Sequence, residues 1–253
     1  MRMLLAVLSA LAVVLAGPAA HAAPPAAGPV EPAPTVGPLF FPSVGGLSTL
    51  LHLPHFCSAS VLDSSTRDLL VTAAHCVYGT GLTMEFAPGF HDGIAPYGVW
   101  EVRRAYVTTA WRAHQDPADD VAVLEVAPRA GRRLEDVVGA GEPVGTPAAS
   151  APVTVTGYPM GVDGSTVGCT TGLYLTGGYP SIDCTGFADG TSGGPWIQAG
   201  RLVGVVGGKE QGGCADSEYS APIAGRLPGL VARAEAGRPS DLVPIGFLAN
   251  ACL

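Results

Sequence analysis

The chain has 253 residues, of which 35 are glycine and 23 are proline, and only 13% carry a charge. This composition favours compact, loop-rich β structure over a helical bundle, and the 47% hydrophobic content is enough to bury a sizeable core. The formal net charge of -8, without a cluster of Lys or Arg, argues against nucleic acid and anionic membrane surfaces as partners.

The N-terminal segment has the pattern of a secretory signal peptide. Arg2 supplies the positive charge, residues 4–16 form an apolar run too short to span a bilayer comfortably, and Ala20-His21-Ala22 is a small-x-small cleavage site. We therefore expect residues 1–22 to be removed during export and the mature protein to be extracellular. An uncleaved membrane anchor is the alternative, but no second apolar stretch of spanning length follows. Six cysteines, an even number, fit disulfides in such a compartment.

The next residues, 23–35, are nearly all Ala, Pro and Gly. Such a composition cannot bury a core, so we expect an extended linker or a short pro-segment, with folded sequence beginning near Val36. From there the sequence predicts short apolar strands separated by turns. Residues 127–152 have no sustained hydrophobic period, and we expect them to connect the two halves of the chain. Many short strands of this kind favour an all-β fold of barrels or a sandwich. The expected strands are 55–62, 68–73, 82–87, 98–107, 120–126, 153–157, 166–175, 193–198 and 201–206, and a helix is expected at 223–236.

The glycine-rich turn Gly190-Thr191-Ser192-Gly193-Gly194-Pro195 is the strongest chemical signal in the second half. Glycine permits backbone angles closed to other residues and lets a substrate approach the main chain closely. A serine in such a turn can point its hydroxyl outward, and the N–H groups of Gly190 and Ser192 can converge beside it. That arrangement is typical of a nucleophile with an oxyanion hole, whereas the simpler interpretation is a flexible Gly/Ser loop.

A histidine and an aspartate elsewhere in the chain supply the partners that a nucleophilic serine needs. His75 follows the strand end Val71-Thr72-Ala73-Ala74, whose small residues leave room for a substrate, and it is the candidate general base. Asp120 directly abuts an apolar strand and is the candidate that orients the imidazole. For Asp116 and Asp119, in the same turn sequence, ordinary turn chemistry is the simpler interpretation.

Taken together, these motifs resemble the chymotrypsin/trypsin-like serine peptidases. Thr72-Ala73-Ala74-His75-Cys76, Asp120-Val121-Ala122-Val123-Leu124 and the Ser192 turn follow the His, Asp, Ser order of that family. The resemblance covers roughly residues 36–223. Three further segments make the chain similar to secreted bacterial members near the glutamyl endopeptidases. They are Phe56-Cys57-Ser58-Ala59-Ser60, Gly157-Tyr158-Pro159 and Tyr219-Ser220-Ala221-Pro222.

The resemblance implies an all-β, chymotrypsin-like fold of two antiparallel six-stranded β-barrels with a short C-terminal helix. The first barrel, at 36–140, would supply His75 and Asp120, and the second, at 141–253 with the C-terminal tail, would supply Ser192. It further implies a secreted, monomeric serine endopeptidase that acts on proteins or peptides without a metal or an organic cofactor. Its catalytic residues would be His75, Asp120 and Ser192, and its oxyanion donors Gly190 and Ser192.

Two other functions are alternatives to the peptidase, and a zinc site is an alternative to a disulfide beside His75. A catalytically silent family member would act as a binding module, although all three triad residues are present. An esterase of another fold would share the Gly-x-Ser-x-Gly pattern, but such hydrolases place the histidine after the serine, and no histidine follows Ser192. A zinc site at Cys57, His75 and Cys76 is disfavoured by export and by the absence of ligand-pair spacing.

One position departs from the family pattern. The animal digestive enzymes of this family have an aspartate before the catalytic serine, which pairs with the new N-terminus after the zymogen is cut, whereas this chain has Thr191. Because a hydroxyl cannot form that ion pair, we expect this activation switch to be absent. The substrate pocket would instead be preformed or ordered by other contacts of the N-terminus.

The six cysteines fit an exported fold held together by disulfides. The resemblance implies a bridge beside the catalytic histidine, between Cys57 and Cys76. Two of the remaining four lie on strands either side of a Gly-rich turn, like partners across a hairpin, which leaves the last two to tie down the C-terminal tail. The favoured pairs are Cys169–Cys184 and Cys214–Cys252, and the competing pairs are Cys184–Cys214 and Cys169–Cys252.

By analogy with the family, the substrate pocket lies between residues 186–190 and 207–210. Acids near it would favour a basic substrate residue, and a lysine there would favour an acidic one. The simpler interpretation is that all these charges are solvated in loops. The four charged residues concerned are Lys209, Glu210, Asp216 and Glu218.

Overall fold

A computed structural model describes residues 23–41, 54–81, 84–161 and 164–244. The expected signal peptide at 1–22 and the expected bridge partner Cys252 lie outside these residues. Within them, the all-β prediction is confirmed, because strands and turns dominate and the helices are few and short. No helix in the described ranges is both long and apolar enough to cross a membrane.

The first half forms a closed six-stranded barrel in the order β2-β3-β4-β7-β6-β5, with every pairing antiparallel. Its last strand, β7, is buried along its whole length, as its almost wholly apolar sequence predicts. Alternate residues explain this burial, since Leu124 faces the barrel core and Val123 faces the contact with the second half. The strands are β2 Val36–Phe40, β3 His55–Val61, β4 Leu69–Thr72, β5 Glu85–Phe86, β6 Trp100–Val107 and β7 Ala122–Val126.

The second half consists of two sheets, with the strand orders β1-β9-β8-β12-β13 and β10-β11-β15-β14. One core fills the space between them, with Val155 and Trp196 from the first sheet and Ile182 from the second. The single strand expected at 166–175 is broken at Leu173, where the chain passes from one sheet to the other. The strands are β1 Gly28–Pro29, β8 Pro152–Gly157, β9 Val167–Gly172, β10 Tyr174–Thr176, β11 Tyr179–Asp183, β12 Pro195–Gln198, β13 Arg201–Val205, β14 Gly213–Cys214 and β15 Ser217–Tyr219.

The segment 23–35, which we expected as a linker, lies against the second half. Strand β1 within it pairs antiparallel with β9, and the Ala27 N–H donates to the Thr185 carbonyl at 2.7 Å. Proline is tolerated here because β1 is an edge strand of its sheet. Ordered structure therefore begins before Val36, where the composition placed its start, because this pairing is made by backbone groups that leave no mark in the sequence.

The helix expected at 223–236 begins with a 3₁₀ turn at Ile223–Gly225 and continues as α3. Pro228 lies in its first turn, where the missing N–H costs no hydrogen bond. The buried face of α3, with Leu227 and Leu230, packs into the apolar cluster between the two halves. This helix therefore helps to fix the position of the two halves relative to each other. His75 and Asp120 come from the first half, and Ser192 comes from the second. The helices are α1 Thr109–His114, α2 Glu135–Val138 and α3 Leu227–Glu235.

Candidate active site

His75 is held at the end of the first barrel by a short 3₁₀ turn, Ala74–Cys76, that follows β4. Its ring Nδ1 lies 2.7 Å from Oδ2 of Asp120, and its backbone N–H donates to Oδ1 of the same carboxylate at 2.9 Å. The His75 and Asp120 side chains are 6% and 2% exposed. The carboxylate therefore fixes both the ring and the main chain of His75.

Asp120 is the one of the three neighbouring aspartates that contacts His75. Asp116 instead caps a 3₁₀ turn by accepting from the Ala118 N–H at 2.9 Å, and Asp119 pairs with Arg226 at 3.2 Å. Asp120 also accepts a hydrogen bond from the Gly208 N–H at 2.7 Å. This donor comes from the second half of the chain, so both halves position the carboxylate.

The charges of His75 and Asp120 support each other. Burial penalises the imidazolium, but attraction to Asp120 and the hydrogen bond between them outweigh this penalty and raise the pKa of His75. Burial likewise works against the carboxylate, but His75 and the two backbone donors lower the pKa of Asp120. An ionised Asp120 only accepts hydrogen bonds, so neutral His75 donates its Nδ1 proton and keeps a free lone pair on Nε2.

The Ser192 turn is packed directly against the segment that carries His75. The Ser58 N–H donates to the Ser192 carbonyl at 2.7 Å, and this carbonyl lies 3.7 Å from Sγ of Cys76. Gly193, at φ +81°, lets the turn come this close, because a side chain there would collide with Oγ1 of Thr72 and the Ser58 carbonyl. The structure thus places His75 against Asp120 and packs the backbone of the Ser192 turn against the segment that carries His75.

The peptide bonds that carry the Gly190 and Ser192 N–H groups are held in place by hydrogen bonds to their carbonyl oxygens. The Asp189 carbonyl accepts from the Met160 N–H at 2.6 Å, and the Thr191 carbonyl accepts from the Gly194 N–H at 2.9 Å. Because a trans peptide points its N–H opposite to its C=O, the Gly190 and Ser192 N–H groups face away from these contacts. Neither of them donates to a backbone carbonyl in the described part of the chain.

Two buried hydroxyl side chains, Ser58 and Thr191, support this turn. The buried Ser58 hydroxyl donates to the Gly190 carbonyl at 2.9 Å and accepts from the Tyr158 N–H at 2.8 Å. The buried Thr191 hydroxyl, at the position of the departure from the family pattern, donates to the Ala188 carbonyl at 2.7 Å. A neutral hydrogen bond thus holds the loop at Thr191, where the animal digestive enzymes have a carboxylate.

A cavity of about 200 Å³ opens beside Ser192. One wall is close to the expected 186–190 segment, but the other is formed by 211–215 rather than by 207–210. The prediction that all four nearby charges are solvated is wrong for Glu218, which lines the cavity and is 6% exposed. The lining residues are Phe187, Ala188, Asp189, Thr191, Ser192, Val206, Gln211, Gly212, Gly213, Cys214, Ala215 and Glu218.

The cysteines pair in the arrangement that we favoured from the sequence, as far as the structure describes them. Cys57 is bonded to Cys76, and Cys169 to Cys184. Cys214 is also disulfide-bonded. Although the side chains of Cys57, His75 and Cys76 lie within 4.8 Å of one another, the two sulfurs are bonded together and are not thiolates. This cluster therefore lacks the deprotonated sulfur ligands that a zinc site needs.

The sequence model of the trypsin-like peptidase domain matches residues 57–205, which is more than half of the chain. The chain therefore belongs to this family. Family and fold together support a serine protease that acts on peptide substrates. No curated protein sequence matches the chain.

Solved structures show the same fold at low sequence identity. The protease Anisep from Arthrobacter nicotinovorans is 23% identical with a TM-score of 0.66, and the match covers 81% of this chain and 98% of that one. A thermostable serine protease, AL20, from an extremophilic microorganism is 20% identical with a TM-score of 0.67 and the same coverage of 81% and 98%. A Glu endopeptidase is 16% identical with a TM-score of 0.62, covering 84% of this chain and 97% of that one.

Proposed function

We propose that this protein is a secreted serine endopeptidase that works through an acyl-enzyme intermediate with His75, Asp120 and Ser192 as its triad. The observation that carries the proposal is the buried His75–Asp120 pair, 2.7 Å apart, packed against the segment that presents Ser192. A general base must be fixed in orientation and keep a free lone pair, and His75 meets both requirements.

Each residue has a defined step in this mechanism. Ser192 Oγ attacks the peptide carbonyl while His75 Nε2 takes its proton, and the Gly190 and Ser192 N–H groups stabilise the oxyanion. His75 then gives the proton to the leaving amine, and water hydrolyses the acyl-enzyme with the same base. Asp120 holds the imidazole in the required tautomer and stabilises the imidazolium. We expect the mature enzyme to act as a monomer on proteins or peptides.

The test of this function is labelling of purified protein with a serine-directed fluorophosphonate, followed by peptide mapping and by profiling on a diverse peptide library. We expect the label on Ser192, because only a serine activated by a neighbouring base reacts readily with this reagent. We also expect cleavage within peptides of the library. Folded protein that neither reacts nor cleaves any peptide would instead support the silent binding module.

We further propose that the protein is exported. The apolar run at 4–16 with the cleavage pattern at 20–22 supports this, and so do the disulfides, since they persist in oxidising compartments. We expect the mature protein in the culture medium to start at or after Ala23. Intact-mass analysis of the secreted protein checks this, and a mass that includes Met1 would contradict it.

A further inference from the structure

The wall of the cavity beside Ser192 carries a disulfide-bonded cysteine, Cys214. Four of the six cysteines in the sequence are bonded to one another in the two pairs already described. Cys252 is therefore the cysteine of this sequence that is left to pair with Cys214. Such a bond ties the end of the chain to the wall of the cavity that contains the candidate nucleophile.

The chain that leads to Cys252 starts on the first half of the molecule, close to His75. The Val243 N–H donates to the Gly79 carbonyl at 2.6 Å, and the Gly79 N–H donates to the Val243 carbonyl at 2.9 Å. Val243 is also buried in the same apolar core as Cys76. Gly79 follows His75 by four residues. The C-terminal tail, which we define as residues 245–253, therefore begins beside the segment that carries the candidate base.

The two anchors confine the path between them. Cys252 follows Val243 by nine residues, and an extended chain of this length spans at most about 30 Å. One anchor lies beside His75 in the first half, and the other lies in the cavity wall beside Ser192 in the second. The candidate active site lies between them, and a short chain that joins them has its direct path across this site.

Three aromatic side chains form a partly exposed apolar surface at the start of the tail, which we call the aromatic patch. Phe41 is 48% exposed and stacks on Phe56 with the ring centres 4.4 Å apart, and the Phe56 ring lies 6.3 Å from that of Tyr78. Tyr78 directly precedes Gly79, so the patch adjoins the first anchor. The tail suits this surface, because no residue in it has a charged side chain. Its large apolar residues are Ile245, Phe247, Leu248 and Leu253.

We infer, on the basis of the proposed function, that the C-terminal tail lies across the candidate active site of its own chain and competes there with peptide substrates. Phe247 and Leu248 pack on the aromatic patch, and the bond between Cys214 and Cys252 holds the far end of the tail at the cavity wall. Because the tail is attached at both ends, its effective concentration is on the order of millimolar, so weak contacts are enough to keep it in place. A substrate binds only to the fraction of molecules whose tail has left the site, and its apparent affinity falls by that fraction.

The first experiment has two measurements. Peptide mapping without reduction should find Cys214 linked to Cys252, and any other partner of Cys214 would overturn the inference. Peptide hydrolysis then compares the wild type with Phe247→Ser, which keeps the bond but weakens the contact with the patch. We expect KM to fall about tenfold with kcat unchanged, because saturating substrate displaces the tail in the wild type as well.

Leu242→Ser is the matched control for this comparison. Leu242 is an apolar residue just before the first anchor, it is 73% exposed, and it lies outside the tail. Its replacement should leave KM and kcat at the wild-type values. An unchanged KM in Phe247→Ser, or an equal fall in Leu242→Ser, would overturn the inference.

The second experiment needs no turnover and uses a fluorescent peptide with the sequence of residues 245–251. Two proteins are compared by fluorescence anisotropy, both with Ser192→Ala so that neither cleaves the peptide. One keeps the tail attached, and the other releases it through Cys214→Ser together with Cys252→Ser. We expect the released protein to bind the peptide at least about tenfold more tightly, because its own tail no longer competes at the effective concentration of an attached segment. A peptide with serine in place of Phe247 should bind weakly to both proteins.

The outcomes separate this inference from the proposed function. If Ser192 is labelled and peptides are cleaved but the tail peptide does not bind the released protein, the inference fails, another occupant covers the aromatic patch, and the proposed function stands. If the tail peptide binds but folded wild type neither reacts with the fluorophosphonate nor cleaves any peptide, the position of the tail is supported and the proposed function fails. Should the released protein fail to fold, the KM of Phe247→Ser decides, since that variant keeps every cysteine.

Discussion

Ser192→Ala is expected to abolish peptide hydrolysis and leave the fold intact. Loss of the nucleophile in this mechanism lowers turnover by about 10⁴- to 10⁶-fold, because nucleophile and base act as a unit. The change removes a single hydroxyl from a partly exposed turn whose backbone contacts, from Ser58 to the Ser192 carbonyl and from Gly194 to Thr191, do not involve that hydroxyl. Its effect on the free energy of unfolding should therefore be below about 1 kcal/mol.

The two effects are measured separately. Turnover is followed on a peptide that the wild type hydrolyses, and stability is followed by circular dichroism and the melting temperature. Ser165→Ala is a matched control, because Ser165 is an exposed serine outside the candidate site, and it should keep both activity and labelling. Adding His75→Ala to Ser192→Ala should lower turnover little further. Wild-type cleavage by Ser192→Ala would refute the assignment of the nucleophile.

The features that could be predicted from the sequence are those whose signal lies in consecutive residues. The apolar run of β7 predicts a buried strand. The small residues before His75 predict a strand end with room for a substrate. The glycines around Ser192 are likewise recognisable because they stand in one short motif, although the Thr72 and Ser58 atoms that leave Gly193 no room for a side chain lie far away in the chain. In each case the signal is read from consecutive residues.

The features that could not be predicted depend on pairings between distant segments. Asp120 accepts from the Gly208 N–H across a separation of 88 residues, and the donor is a backbone group that any residue other than proline would supply. Glu218 is buried because β15 lies between β14 and β11, and its sequence of polar neighbours suggests a solvated loop instead. The edge strand β1 is made by main-chain hydrogen bonds with β9. None of these contacts changes the local composition or periodicity.

Asp120→Asn is expected to lower turnover by about 10⁴-fold and to move the pH profile. An asparagine can turn its amide N–H₂ toward His75 Nδ1, so the ring then carries its proton on Nε2, and no lone pair remains there to accept the proton of Ser192. The carboxylate that stabilises the imidazolium is lost as well. Because the Asp120 side chain is 2% exposed, water does not replace it.

The pH profile reports on the charge interaction itself. Catalysis needs neutral His75, so wild-type kcat/KM should fall as pH decreases through the His75 pKa, which Asp120 holds above the ordinary value of about 6.5. Without the carboxylate, burial remains and disfavours the imidazolium, so the residual activity of Asp120→Asn should fall at a lower pH than that of the wild type. Asp116→Asn is the matched control, since asparagine caps a helical turn as well as aspartate and the Asp116 carboxylate accepts from the Ala118 N–H rather than from His75. Asp116→Asn should keep the wild-type turnover and the wild-type pH profile of kcat/KM. If kcat/KM fell at the same low pH in Asp120→Asn and in the wild type, the proposed role of Asp120 would be contradicted.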